Sequence, residues 1–354
     1  MSSNTTIKGE ILKRRIKFLV EIVVIFFGIF FFTVILTLIL YLFITPRSTL
    51  YGPLYYIFRA LAISIAIPFF LYLTNYILGW TKNINNQEFN INPALSHFKL
   101  LKITKTNFKY QLLYGILLLF LVFIPLDFIF YLIPRMLEYS IDSLITSSTT
   151  NRYLLYDNYF LFLSSVIVIQ LSVAYFEEVL VRGLLAKRGS DYFNKMSAVM
   201  ISSFYFGLGH LAYLLLPIRG DYPVWFPIIW FVQAFFVGII LGIFFVKRKW
   251  LFPLIFSHGL NNIISANTLW VWNNSQDFLT IILVQYLPLL FISVILFVLQ
   301  FSRIKNAFNS GIVEIKNYFT TNKKLGENNK DKIIRIIFDF FIGFIIFIIA
   351  LFLV

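Results

Sequence analysis

Long apolar runs separated by short polar segments are the feature of this sequence that most restricts its fold. A helix needs roughly 20 apolar residues to cross the hydrocarbon layer of a membrane. Runs of this length occur at about 18–44, 54–79, 110–133, 159–186, 196–217, 225–246, 251–272, 278–301 and 333–354. With 59% hydrophobic and only 13% charged residues, the chain cannot cover the surface of a soluble enzyme. We therefore predict an all-α integral membrane protein of the cell membrane, a multi-pass bundle of about 8–9 transmembrane helices.

The basic residues alternate with the apolar runs in a way that predicts the orientation of the chain. Most of the 30 Lys and Arg lie in polar segments at 1–17, 82–109, 187–195, 247–249 and 303–335. The loops between these segments hold only Arg47, Arg135, Arg152 and Arg219. Because basic loops are retained in the cytoplasm, we expect a cytoplasmic N-terminus. The net charge of +14 then indicates contact with the lipid bilayer and not with nucleic acid.

The polar segments also suggest how the chain is divided. We predict an N-terminal three-helix membrane segment at 1–158, a membrane core at 159–302, and a cytoplasmic linker with a C-terminal transmembrane helix at 303–354. The connections 81–109 and 303–332 have room for an amphipathic surface helix at most. The polar stretch at 320–332 is typical of a flexible linker, and we interpret the last apolar run as an appendage beyond it.

Three motifs place polar and ionisable residues inside the apolar runs, where each costs about 2.5–3.5 kcal/mol on insertion scales. They are Glu177-Glu178-x-x-x-Arg182, Phe206-x-x-x-His210 and His258-x-x-x-Asn262. Residues four apart share one face of a helix, so Glu178 can pair with Arg182, and His258 and Asn262 project together. Glu177 points about 100° away from that ion pair. Two adjacent carboxylates are therefore expected to have different environments, with Glu177 available as a proton acceptor.

The depths of these residues in the membrane agree with one another. At 1.5 Å per residue from the cytoplasmic end of each run, Glu177 lies about 15 Å deep and His210 about 22 Å deep. On the same scale His258 lies about 14 Å deep and Asn262 about 20 Å deep. Side chains from three separate runs can therefore meet between the inner leaflet and the middle of the membrane.

The ordered trio of motifs resembles the CPBP family of intramembrane proteases, which includes the type II CAAX prenyl endopeptidases and bacteriocin-processing and self-immunity proteins. The resemblance covers about 177–262. It implies that Glu177 acts as general base with His210 on a water molecule. It also implies that His258 and Asn262 stabilise the oxyanion of the tetrahedral intermediate. Glu178 and Arg182 would then form a structural pair, with Phe206 packed beside the site.

The same residues leave open whether the site binds a metal ion. Glu177, His210 and His258 suit zinc ligation, and they suit a glutamate-dependent mechanism without a metal equally well. The chain has no Cys, which excludes thiolate ligands and a cysteine nucleophile. The expected substrate is a membrane-associated protein or peptide. The sequence indicates neither its identity nor an oligomeric state.

Two other function classes fit the same composition. A proton- or ion-coupled transporter would use intramembrane acids and His, although the sequence contains no inverted repeat. A non-catalytic immunity or assembly factor would retain the motifs without using them.

The remaining polar residues of the apolar runs receive simpler interpretations. We interpret Glu21, Arg59, Asp127 and Asp339 as residues at the ends of spans or in local pairs. We expect His97 to be a solvated loop residue, and the glycines at 207, 209, 238 and 242 to allow close helix packing.

Overall fold

The protein is all-helical over the residues that the computed structural model describes, which are 2–78, 92–147, 149–214, 222–275, 277–321 and 327–353. The first eight helices are α1 Ser2–Phe43, α2 Tyr51–Leu78, α3 Pro93–Leu100, α4 Phe108–Leu118, α5 Ile124–Tyr131, α6 Met136–Ser147, α7 Tyr159–Glu178 and α8 Lys187–Tyr192. They are followed by α9 Lys195–Leu211, α10 Trp225–Arg248, α11 Phe252–Ser275, α12 Phe278–Thr280, α13 Leu287–Leu299, α14 Phe301–Tyr318 and α15 Asn329–Leu353. The predicted fold class is confirmed.

Three π-helical segments and two 3-10 segments complete the described secondary structure. The π-helical segments Leu119–Phe123, Val179–Ala186 and Ile281–Tyr286 join α4 to α5, α7 to α8 and α12 to α13, respectively. The 3-10 segments are Thr149–Leu155 and Ala212–Leu214. A π-helical turn inside a long helix is uncommon and often marks a functional site. Val179–Ala186 begins directly after Glu177 and Glu178.

Seven described helical stretches are long and apolar enough to cross a membrane. They are Leu12–Phe43, Tyr51–Ile77, Phe108–Tyr131, Tyr159–Tyr192, Trp225–Arg248, Phe278–Leu299 and Asn329–Leu353. The other two predicted spans, 196–217 and 251–272, correspond to α9 and α11. The first of these helices has only 17 residues, and the second is interrupted by polar side chains. The protein is a multi-pass membrane protein, while the count of nine spans and the cytoplasmic N-terminus stay predictions.

Small residues allow α9 and α10 to pack closely. A Cβ atom added at Gly238 would lie 2.9 Å from the Cβ of Ser203, and one at Gly242 would lie 2.9 Å from Val199. Gly207 is packed in the same way against Phe231. Gly209 has no neighbour within 4 Å among the described residues, so the packing role predicted for it is wrong.

The last helix is packed into the bundle, which corrects its interpretation as an appendage. The ring centroid of Phe340 in α15 lies 4.9 Å from that of Phe204 in α9. A Cβ atom at Gly343 would lie 3.1 Å from the backbone oxygen of Ile201. Since α9 also carries His210, α15 supports one of the helices that bear the motifs. The predicted linker falls partly on residues 322–326, which lie outside the described residues.

Two acidic residues that we interpreted as span-end residues or members of local pairs form buried pairs, and their partners lie on distant helices. Asp339 in α15 is fully buried and accepts hydrogen bonds from Arg15 in α1, at 3.2 Å from Nε and 2.7 Å from Nη2. Glu21 in α1 is likewise buried and accepts from Nη2 of Arg188 in α8, at 2.9 Å to each carboxylate oxygen. A charge buried away from water needs such a partner, so the bundle keeps these carboxylates inside.

Candidate active site

Residues of the three motifs contact one another where α7, α9 and α11 pack together. Asn158 begins α7 and Asn194 begins α9, each by accepting a hydrogen bond from a backbone N–H of the first turn. The last turn of α7 then carries the two glutamates, the π-helical segment carries Arg182, and α11 presents His258 opposite them. The packing of α7 against α11 is close, since a Cβ atom at Gly259 would lie 2.8 Å from Leu171.

Glu178 is the most enclosed residue of the site. It is fully buried, and its Oε1 accepts hydrogen bonds from Nη1 of Arg182 and from Nδ1 of His258, each at 2.9 Å. Arg182 is fully buried as well. Because the adjacent guanidinium stabilises an ionised carboxylate, Glu178 acts only as an acceptor. When the imidazole of His258 is neutral and its hydrogen lies on Nδ1, this hydrogen is donated to Glu178 and Nε2 keeps its lone pair.

Glu177 faces the other side of the same imidazole. Its Oε2 lies 3.6 Å from Nε2 of His258, and its side chain is 33% exposed. The two neighbouring glutamates thus differ as expected from helix geometry, with one locked in an ion pair and the other accessible. In this tautomer of His258, Glu177 Oε2 and His258 Nε2 are two acceptors that face each other at the edge of the buried network.

His210 lies on the far side of a group of aromatic rings. Its Nδ1 lies 3.2 Å from the backbone oxygen of Phe206, and its ring centroid lies 5.2 Å from that of Phe206 and 5.4 Å from that of Trp230. No described carboxylate oxygen lies within 4.0 Å of its ring nitrogens. The structure therefore places Glu177 closer to His258 than to His210.

Phe206 connects the two imidazoles to the ion pair. The guanidinium of Arg182 lies 4.6 Å from the centre of its ring, in a cation–π arrangement. The ring centroid of His258 lies 6.1 Å away at nearly a right angle. On its other side His258 stacks on Phe123, at 5.7 Å and 18°. Aromatic contacts on both sides hold the imidazole of His258 in place.

Asn262 is half-buried on α11, one turn beyond His258, and its amide makes no side-chain hydrogen bond within the described part of the chain. The adjacent Asn261 is the residue that forms a contact. Its Nδ2 donates to Oδ2 of Asp127 at 3.0 Å, and Nε2 of Gln233 lies 3.5 Å from Oδ1 of the same carboxylate. Asp127 thus links α5, α10 and α11 next to the site and is not a span-end residue.

Sequence reasoning missed several residues of this region, namely Arg59, Phe123, Asp127, Trp230, Gln233 and Asn261. Arg59 and Asp127 gave a usable signal, because each is an ionisable residue inside an apolar run. The aromatic residues gave none, because 43 Phe in one chain hide the few that contact the site.

His97 was also misinterpreted, because it is buried and not solvated. It lies in α3, with 4% of its surface exposed, and its Nδ1 donates to the backbone oxygen of Gly183 at 3.3 Å. Gly183 belongs to the π-helical segment that follows the glutamates. Burial lowers the pKa of His97 from 6.5 to about 4, so the imidazole is neutral at physiological pH.

The predicted zinc ligands do not converge on one point. In the described residues, no group of three His, Cys, Asp or Glu side chains is arranged to hold a metal ion. Glu177 and His258 are neighbours, while His210 is turned toward Phe206 and Trp230. Zinc therefore stays a prediction, and the chemistry below is derived from the side chains alone.

Comparison with known proteins agrees with the position of this site. Residues 159–264 match the family model described as type II CAAX prenyl endopeptidase Rce1-like. The matched region is under a third of the chain, but it includes Glu177, Glu178, Arg182, Phe206, His210, His258 and Asn262. This match to an Rce1-like family supports a membrane-embedded protease of the CAAX type in general. No curated protein and no solved structure matches the chain.

Proposed function

We propose that this protein is an intramembrane endopeptidase that hydrolyses a peptide bond of a membrane-associated protein or peptide with a water molecule activated by Glu177. The observation that supports this most directly is the approach of Glu177 Oε2 to His258 Nε2, 3.6 Å apart. With His258 neutral and its hydrogen on Nδ1, a water molecule at ordinary hydrogen-bond distance from both atoms would donate one hydrogen to each. The opposite side of His258 is fixed by Glu178.

The proposed reaction begins when Glu177 takes a proton from this water molecule. The resulting hydroxide attacks the carbonyl carbon of the scissile bond and forms a tetrahedral oxyanion. Glu177 then transfers its proton to the nitrogen of the leaving amine, the C–N bond breaks, and the carboxylate ionises again. A positioned general base of this kind contributes typically 10²–10⁴-fold to the rate.

We assign the stabilisation of the oxyanion to Asn262. Its Nδ2 can donate, and its side chain has no hydrogen-bond partner among the described residues that would compete. His258 could share this role only when both of its ring nitrogens carry hydrogen, because the Nδ1 hydrogen is already donated to Glu178. In the neutral imidazole, His258 orients the attacking water and does not donate to the oxyanion.

The test is cleavage by the purified full-length protein of quenched fluorescent peptides carrying a lipid chain, with prenylated and acylated forms compared. We expect Glu177→Gln and His258→Ala to reduce kcat by about a hundredfold or more, in keeping with the loss of a positioned base. Glu138→Gln is the matched control, because Glu138 is 43% exposed and pairs with Arg135 away from the site. Full activity in both site variants would refute the assignment. Metal analysis of the same preparation would test for zinc independently.

A further inference from the structure

Arg59 is a cation inside the membrane region, and the described residues offer it no carboxylate partner. It lies in α2, its guanidinium lies 4.4 Å from the centre of the Phe176 ring, and its Nε is buried without a hydrogen-bond partner among the described residues. No Asp or Glu oxygen of the described residues lies within 4.0 Å of the guanidinium. Arg59 is half-buried, and a guanidinium held in the membrane region without a carboxylate partner is costly, which calls for an explanation in terms of function.

The packing of α2 against α7 places Arg59 on the ring of Phe176, the residue before Glu177. A Cβ atom at Gly52 would lie 3.5 Å from Ile169, and the side-chain oxygens of Ser64 and Tyr175 lie 2.7 Å apart. Arg59 and Phe176 each follow the first of these contacts by seven residues, and the guanidinium of Arg59 contacts the ring of Phe176, so α2 and α7 lie side by side as far as the last turn of α7. Phe176 directly precedes Glu177 in the last turn of α7.

The guanidinium of Arg59 lies on the ring of Phe176, the neighbour of Glu177 in the sequence, and the hydroxyls of Tyr205 in α9 and Tyr56 in α2 are within the electrostatic influence of both charges. The proposed catalytic carboxylate thus has near it a guanidinium that makes no hydrogen bond to the described residues. A guanidinium binds carboxylates particularly well, because its fork of N–H groups matches the two oxygens.

From this arrangement we propose that Arg59 binds a carboxylate of the peptide substrate and thereby positions the scissile bond beside Glu177. This inference rests on the proposed protease function and adds a specificity residue that lies outside the matched region 159–264. The carboxylate is either the free C-terminus of the peptide or an acidic side chain close to the scissile bond. A peptide that carries an amide in place of this carboxylate would leave the Arg59 guanidinium without an anionic partner.

The experiment uses one lipidated, quenched fluorescent peptide series in four forms. The series combines a free C-terminal carboxylate or a C-terminal amide with Glu or Gln next to the cleaved bond. Cleavage is measured as kcat and KM for the wild-type protein and for Arg59→Gln and Arg59→Lys. Binding of the same peptides is measured in a Glu177→Gln background, so that the inference can be tested without turnover. Arg135→Gln is the matched control, because Arg135 is 64% exposed and pairs with Glu138.

We expect the wild-type protein to prefer one carboxylate form over its neutral partner by at least tenfold, through KM. Arg59→Gln should bring this ratio close to one, Arg59→Lys should retain part of it, and Arg135→Gln should leave it unchanged. The form that carries the preference identifies the source of the carboxylate. An equal loss of activity on all four peptides, with the ratio preserved, would overturn the inference and assign Arg59 to the electrostatics of Glu177. Absence of cleavage together with Arg59-dependent binding would refute only the protease function.

Discussion

At the scale of single residues, the central feature of the site is that two adjacent glutamates have different environments and different roles. Glu178 is held by a guanidinium and an imidazole, while Glu177 is one-third exposed and faces only the imidazole. The same imidazole therefore connects the structural ion pair to the accessible carboxylate. A change in the ion pair should then affect both the stability of the bundle and the orientation of His258.

The first prediction concerns Arg182. Replacing Arg182 with Met leaves the fully buried Glu178 carboxylate with only His258 as its partner. Because loss of one member of a buried pair leaves an uncompensated charge, we expect the free energy of unfolding to fall by about 3–5 kcal/mol. Thermal unfolding in detergent measures this loss. The double variant Glu178→Gln, Arg182→Met removes both charges and should recover most of the stability, whereas equal losses in the single and double variants would contradict the argument.

Sequence reasoning succeeded at this scale where the geometry is local. The pair between Glu178 and Arg182 was predictable, because residues four apart on a helix are neighbours whatever surrounds them. The contact between Glu178 and His258 was not, because it depends on the rotation of α7 relative to α11, 80 positions away. Depth arithmetic predicted that the motifs meet. It could not predict that Glu177 lies closer to His258 than to His210.

At the scale of secondary-structure elements, the π-helical segment Val179–Ala186 is supported by the short helix α3. His97 donates a hydrogen bond to Gly183, and a Cβ atom at Gly183 would lie 3.3 Å from Cε1 of His97. A polar connection between two apolar runs thus contributes a buried side chain that contacts the helix carrying Glu177. The charge pattern alone suggested a solvated loop, because burial of one residue in a polar segment leaves no periodic signal.

The second prediction follows from this contact and concerns pH. The pKa of His97 is 6.5 in an unfolded chain and about 4 in the folded protein, so the unfolded state binds more protons between these values. The contribution of His97 is complete above pH 6.5 and is lost as the pH falls toward 4, by about 3 kcal/mol at most. Thermal unfolding of wild type and His97→Gln across this range isolates the contribution. We expect their difference to shrink as the pH falls, and a constant difference would refute the assignment.

The third prediction concerns the close packing of α9 against α10. Gly238→Leu would force a side chain against the backbone and side chain of Ser203, where a Cβ atom already lies at 2.9 Å. Overpacking of this kind typically costs about 1–3 kcal/mol. Gly311→Leu is the control, because Gly311 has no neighbour within 4 Å among the described residues and gains the same helix propensity. Equal midpoint temperatures of thermal unfolding for the two variants would contradict this prediction, because α9 and α10 would then accommodate the larger side chain without loss of stability.

At the scale of the whole molecule, buried ion pairs tie the two ends of the chain to the part that bears the motifs. Arg15 in α1 and Asp339 in α15 are 324 positions apart, and Oδ2 of Asp339 also accepts from the hydroxyl of Tyr318 at 3.1 Å. Glu21 pairs with Arg188, just beyond the π-helical segment. Hydropathy predicted that these helices exist. It could not predict their neighbours, because every apolar face of such a helix is equally compatible with lipid or protein.

The last prediction tests whether the pair between Arg15 and Asp339 holds the bundle together. Asp339→Leu leaves the Arg15 guanidinium buried, with 5% of its side chain exposed and no carboxylate opposite it. We expect this change to lower the free energy of unfolding by about 3–5 kcal/mol, and the double variant Arg15→Met, Asp339→Leu to lose much less. Glu138→Leu removes an exposed partner of Arg135 and should cost about 0–1 kcal/mol. Because α15 packs on the helix of His210, Asp339→Leu should also lower cleavage by the unheated protein, and the double variant should restore it. If the Asp339→Leu variant unfolds at the wild-type temperature, the pair between Arg15 and Asp339 does not stabilise the bundle, and the prediction is wrong.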